Sequence, residues 1–279
     1  MIISVEKSSK KIKTCSLTAL AFAVLAIILR TSCLLWFYDE EIGYYTKDIL
    51  PIVFEVFYVI ATVLFAGIFF IIKPSDKTSD GKEDNLALKI SSALATVAFA
   101  VFFVSSVASA SFVTGNVVFD LALKLSALSS IVYFAVNLFA PHINRVAQTA
   151  LGFGIIIWGA CVLAVTYFDI YVQINSPEKI ILHLALVSCM AFFASEFRCF
   201  ISGVRSKLYL FTAFCAVFFS GACSVPFVIA YFCGVINGEK HLFYNVVLVA
   251  MFVYVAIRLV SFSFVSDKED KEMVDTSKE

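Results

Sequence analysis

The sequence predicts an all-α fold: a polytopic transmembrane helix bundle of about eight spans. Three observations carry that expectation. Of 279 residues, 61% are hydrophobic and only 15% are charged, whereas a soluble domain is about 45–50% apolar and about 25% charged. Mean hydropathy is +0.94, and apolar runs of about 20 residues, enough to cross about 30 Å of hydrocarbon, recur along the chain. Finally, the lysines and arginines between those runs fall into two alternating sets. With 21 basic and 21 acidic residues the chain is formally neutral, so no basic excess points to nucleic acid.

A basic lead, 1–14, opens the chain and contains "KSSKKIK". The apolar run behind it continues to Phe37 and ends in "WFYDEE", too long for a signal-peptide core, so span 1 at 15–38 is expected to remain uncleaved. Cys33 does not read as a lipidation site, because Arg30 stands where an apolar residue is required. Spans 2, 3 and 4 follow at 49–72, 86–109 and 117–139, separated by "DEEIGYYTKD", the charged 73–85 linker and "TGN". Spans 5 to 8 follow at 149–172, 180–203, 207–235 and 241–265, with joints "APHINR", "NSPEK", "GVRSK" and "NGEK". In "NSPEK", Asn175 or Ser176 is placed to cap span 6. Pro226 in span 7 lacks an N–H, so it frees the carbonyl of Ala222 and is expected to kink the helix. The small-residue run "SSVASAS" (105–111) suits close helix packing. A charged tail, 266–279, is expected to be solvated.

Lys7, Lys10, Lys11, Lys13, Lys73, Lys77, Lys82, Arg145, Arg205, Lys207, Lys268, Lys271 and Lys278 mark one side of the membrane; Lys47, Lys179 and Lys240 mark the other. The positive-inside rule therefore expects both termini in the cytoplasm of a multi-pass cell-membrane protein. The acidic 39–41 loop, with Trp36, Tyr38, Tyr44 and Tyr45, then forms an outer aromatic belt. The sequence also allows a division of the 15–265 domain into halves, 15–139 and 149–265. "AVFFVSSVASASFV" (100–113) is similar to "AVFFSGACSVPFV" (216–228), and "VYFAVNL" (132–138) to "VYVAIRL" (253–259). These matches fit a four-plus-four parallel internal repeat about an axis along the membrane normal.

Charges inside the spans are the candidate functional residues, because an ionised side chain in hydrocarbon is costly and normally pairs or lines a wet cavity. At about 1.5 Å rise per residue, Arg30, Glu55, Lys124 and Asp120 lie about 5, 8, 6 and 12 Å outward of their span centres. They are expected to form one neutral outer-half cluster that contacts a small solute or ion. Asp120 and Lys124 are four residues apart, so pairing between them on one helix face competes with that reading. Glu196 and Arg258 share a depth in the other half and are expected to pair between spans 6 and 8; Arg198, two residues on from Glu196, points elsewhere.

Catalytic patterns are absent: no HExxH, no GxSxG with a partner histidine, no Walker loop. His142, His183 and His241 lack metal-ligand spacing, and the eight cysteines show no CxxC. No enzyme, cofactor or metal is expected, and Cys33 with Cys233 is the one disulfide the topology allows. The segment 167–198, with Tyr167, Phe168, Asp169, the Asn175-Ser176-Pro177 turn, Lys179, Glu196 and Arg198, resembles a group of uncharacterised multi-pass membrane proteins of Firmicutes. That resemblance implies a bacterial inner-membrane location and supplies no site residues. The buried charges and the repeat favour a small-solute or ion permease that uses the outer-half cluster; the alternative is a structural, sensory or assembly component that binds other membrane proteins within the lipid bilayer.

Reporter fusions after Lys82 and after Lys179 are expected to report opposite sides of the membrane. Finding both on one side would end the eight-span topology.

Overall fold

The computed structural model describes residues 2–39, 42–71, 85–108, 117–139, 144–169, 176–202 and 207–276. Among these, eight helices are long and apolar enough to cross a membrane. They are α1 (Ile2–Phe37), α2 (Ile49–Ile71), α3 (Leu86–Ala108), α4 (Val117–Phe139), α5 (Arg145–Tyr167), α6 (Pro177–Ser202), α7 (Lys207–Phe232) and α8 (Glu239–Thr276). The chain is an integral, multi-pass, all-α membrane protein in contact with the lipid bilayer.

Several boundaries move outward from the apolar runs, because helical hydrogen bonding continues past the hydrocarbon-length segment. Helix α1 already begins in the basic lead, and α8 continues through the charged tail to Thr276. Helix α5 starts at Arg145, where the Asn144 side chain accepts from the Val146 N–H at 3.0 Å. Helix α6 starts at Pro177, in keeping with the proline preference for the first helical position; the Lys179 N–H donates to Ser176 Oγ at 3.3 Å. The other proposed cap, Asn175, lies outside the described residues, as do 109–111 of the small-residue run.

One element is new relative to the sequence reading. Between α1 and α2, β1 (Tyr38–Asp39) and β2 (Tyr44–Tyr45) form a small antiparallel hairpin. Gly43 turns it with φ of +74°, a left-handed conformation that glycine adopts without steric cost. The Thr46 N–H donates to the Phe37 carbonyl at 2.7 Å, tying the hairpin to the end of α1. The face of the bundle that carries it is here termed the hairpin side. The opposite face is the terminal side, where Asn85 caps α3 and its amide donates to Ser261 Oγ near the end of the α8 span at 3.1 Å.

Helices α3 to α8 pack each on the next, and α8 returns to α3, closing a six-helix ring. Large rings from most of its members meet inside. Phe99 and Phe102 of α3, Tyr133 and Phe134 of α4, Trp158 of α5, Phe193 of α6, and Tyr244 and Tyr254 of α8 are all fully buried. Edge-to-face pairs such as Phe99–Trp158 (5.2 Å between centroids) and Phe134–Tyr254 (5.2 Å) fix their arrangement. Outside the ring, α1 lies against α7 and α8, and α2 lies against α1 and α7. Helix α7 is the most buried of the eight, and α2 the least.

This packing does not express a two-fold exchange of halves. Such an exchange maps α1 and α7 onto α5 and α3, yet α1 packs extensively on α7 while α3 and α5 share no extensive contact among the described residues. The proposed Cys33–Cys233 bridge is not formed either: both thiols are free, Cys33 buried and Cys233 exposed.

Apolar side chains gain little by leaving lipid for a helix interface, so close backbone approach supplies much of the association. The α4–α5 contact shows this. A Cβ on Gly154 would lie 2.6 Å from Ser129 Cβ and 2.9 Å from the Ser126 carbonyl oxygen. Ser129 Oγ in turn donates to the Leu151 carbonyl at 2.8 Å. Gly154→Ala is therefore expected to destabilise the bundle by about 1–3 kcal/mol through overpacking, read as a lower unfolding midpoint in detergent. Gly67→Ala, where a Cβ meets nothing within 4 Å, should be neutral or gain about 0.5–1 kcal/mol from helix propensity.

Candidate functional site

Arg30 sits seven residues before the end of α1 and is fully buried. Its guanidinium donates through Nη1 to the carbonyls of Ala222 (2.6 Å) and Cys223 (2.8 Å) on α7. Ala222 is the carbonyl that Pro226 leaves without its helical donor. An arginine from a neighbouring helix thus replaces the missing N–H, and α7 runs on to Phe232. Through Nη2 the same guanidinium forms an ion pair with the Glu178 carboxylate.

Glu178 is the second residue of α6, near the positive end of that helix's dipole. Its other oxygen accepts from the Tyr45 hydroxyl at 3.1 Å, which connects the buried centre to the hairpin. Burial, and then the adjacent Glu178 carboxylate, push the Tyr45 hydroxyl well above its ordinary pKa, so it remains a donor near neutral pH. One side chain, Arg30, therefore joins α1, α6, α7 and, through Glu178, β2. Removing Glu178 alone would leave Arg30 without its counter-charge, a change that typically costs about 3–5 kcal/mol in a protein interior.

A second polar centre lies toward the terminal side. Arg258 Nε of α8 is 2.8 Å from Glu196 Oε1 of α6, so the structure brings together the two residues whose depths match. The Tyr254 hydroxyl, one turn before Arg258, donates to Glu196 at 3.3 Å and accepts from Arg258 Nε at 3.2 Å. The guanidinium also lies over the rings of Phe200 (5.5 Å) and Tyr254 (5.6 Å). Glu196 is buried whereas Arg198, two positions on, is exposed. Beside this centre, Gln148 of α5 donates to Asn137 of α4.

The outer cluster expected from depth is not assembled. Arg30 has Glu178 as its acid, not Glu55 or Asp120. Asp120 and Lys124 are half-buried on α4, which packs between α3 and α5, while Glu55 is exposed on α2, which packs against α1 and α7. Depth along a helix fixes height in the bilayer but not direction around the helix axis, and here the directions differ. Sequence reasoning missed Glu178 and Tyr45, both assigned to joints. A signal for Glu178 was present: a cap at Ser176 and proline at 177 already place it in the first turn of a helix.

A third set of contacts lies at the hairpin ends of α5 and α6. Lys179 Nζ donates to the Asp169 carbonyl at 3.2 Å, and Thr166 Oγ1 is 3.0 Å from His183 Nε2. Among the described residues, no three His, Cys, Asp or Glu side chains converge to hold a metal ion. Comparison of the chain with protein-family models, curated proteins and solved structures finds no match.

If Arg30 serves the carbonyl that Pro226 frees, the two positions are coupled. Pro226→Ala should be more stabilising by about 1–3 kcal/mol in an Arg30→Met/Glu178→Gln background than in the wild type. Denaturation in mixed micelles of the four chains measures the coupling, and equal effects in both backgrounds would refute it.

Proposed function

We propose that the chain is a structural or assembly component of a bacterial cell membrane, working by binding other membrane proteins rather than by catalysis. The observation that carries this reading is internal neutralisation. Both deeply buried arginines, Arg30 and Arg258, find their acids within the chain, and aromatic side chains are buried inside the ring. Charges held in this way fasten helices together and leave no net charge for a solute to neutralise. Such pairs lock relative helix positions as long as both partners remain. The lysine and arginine asymmetry supports cytoplasmic termini.

One observation favours the permease reading: a proline-interrupted helix with an arginine on its freed carbonyl, a kind of local break that transporters use to build solute sites. Reconstitution separates the two. Proteoliposomes holding the full chain are expected to show no saturable flux of sodium, potassium, chloride, phosphate or amino acids above protein-free vesicles. Saturable flux that Glu178→Gln abolishes, in a chain that still folds, would establish the permease reading instead.

A further inference from the structure

Glu55 occupies an unusual place for a carboxylate. It lies six residues after Ile49, about 9 Å along α2 from its hairpin-side end. On that helix it belongs to the stripe formed by Ile52, Val56, Val59 and Val63, all exposed at the surface of the bundle. Charged residues within a membrane span almost always face protein or a wet cavity. Here the side chain is exposed on an apolar face, and it has no hydrogen bond or ion pair among the described residues.

The opposite flank presents the complementary anomaly. Lys124 lies seven residues after Val117, about 10 Å along α4 from the same side of the membrane. It is half-buried beside the exposed Leu121, Leu125 and Leu128, and it too lacks a hydrogen bond or ion pair among the described residues. In the six-helix ring α4 and α7 stand across from one another, and α2 packs on the α7 side. Glu55 and Lys124 therefore share a height and differ in sign, but they face away from each other. Within one chain they do not meet.

From this we propose that α2 docks on α4 of a second copy of the chain, with Glu55 of one copy paired to Lys124 of the next. Copies inserted in the same orientation bring these heights to within about one residue rise, 1.5 Å. The contact is head-to-tail, because a symmetric α2–α2 contact would set like charges together, and head-to-tail contacts build rings or rows. The proposal deepens the assembly reading and rests on it by naming the partner. If copies do not pair while solute flux also stays absent, the assembly reading survives with a different partner and this proposal falls.

Full-length chains labelled at the C-terminus, reconstituted at low density in vesicles of phosphatidylethanolamine and phosphatidylglycerol, provide the test by energy transfer between copies. The wild type should associate. Glu55→Lys alone and Lys124→Glu alone should each associate at least about tenfold more weakly, since each sets like charges face to face. Equal mixing of those two variants should restore transfer to the wild-type level, because every contact is again complementary; that recovery also shows both are folded. A monomeric wild type would overturn the proposal, as would a mixture that fails to recover or association indifferent to Lys124. If Glu55→Lys or Lys124→Glu does not yield a monodisperse protein, Glu55→Gln and Lys124→Gln take their place, and unchanged association in both would overturn it equally.

Discussion

A fully buried guanidinium on α1 is the fixed point of this bundle. Arg30 would be prohibitively costly in hydrocarbon on its own. It is retained because three acceptors converge on it: the Glu178 carboxylate and the carbonyls of Ala222 and Cys223. One of those carbonyls is vacant only because residue 226 is proline. Two features that are each unfavourable alone, a buried cation and a broken helical ladder, thus offset one another. The consequence is geometric, since α1 is outside the six-helix ring and is joined by polar contacts to its most buried member.

The second centre repeats the principle with different parts. Glu196 and Arg258 join α6 to α8 near the terminal side, as Glu178 and Arg30 join α6 to α1 near the hairpin. Helix α6 therefore carries an acid in each half of the bilayer, each meeting a basic residue on a different helix. Between them the interior is apolar and aromatic, with Trp158, Phe134 and Phe193 fully buried. Neutral polar links above and below a buried aromatic core fix helix rotation and register, which apolar packing alone defines weakly in lipid.

Much of the architecture was legible in the chain. Eight apolar runs became eight helices, Ser176 capped α6, and the freed Ala222 carbonyl followed from Pro226. Less of the site was legible. Glu178 was read as part of a joint because its apolar run begins at residue 180, although the helix begins at Pro177. Glu55 was assigned inward on the general cost of charge in lipid, whereas α2 turns it outward.

What the sequence determined by itself is additive along the chain: apolar length, helix number, the height of each charge, and the backbone donor that proline removes. What only tertiary structure decided is direction around each helix axis. A soluble helix advertises its inward face by a polar–apolar contrast. In a span such as α2 the lipid-facing and protein-facing sides are both largely apolar, so orientation comes from the neighbour that packs there. That is why Arg30 and Glu55, close in height, ended with different surroundings: Arg30 fully enclosed by α6 and α7, and Glu55 on the open face of α2.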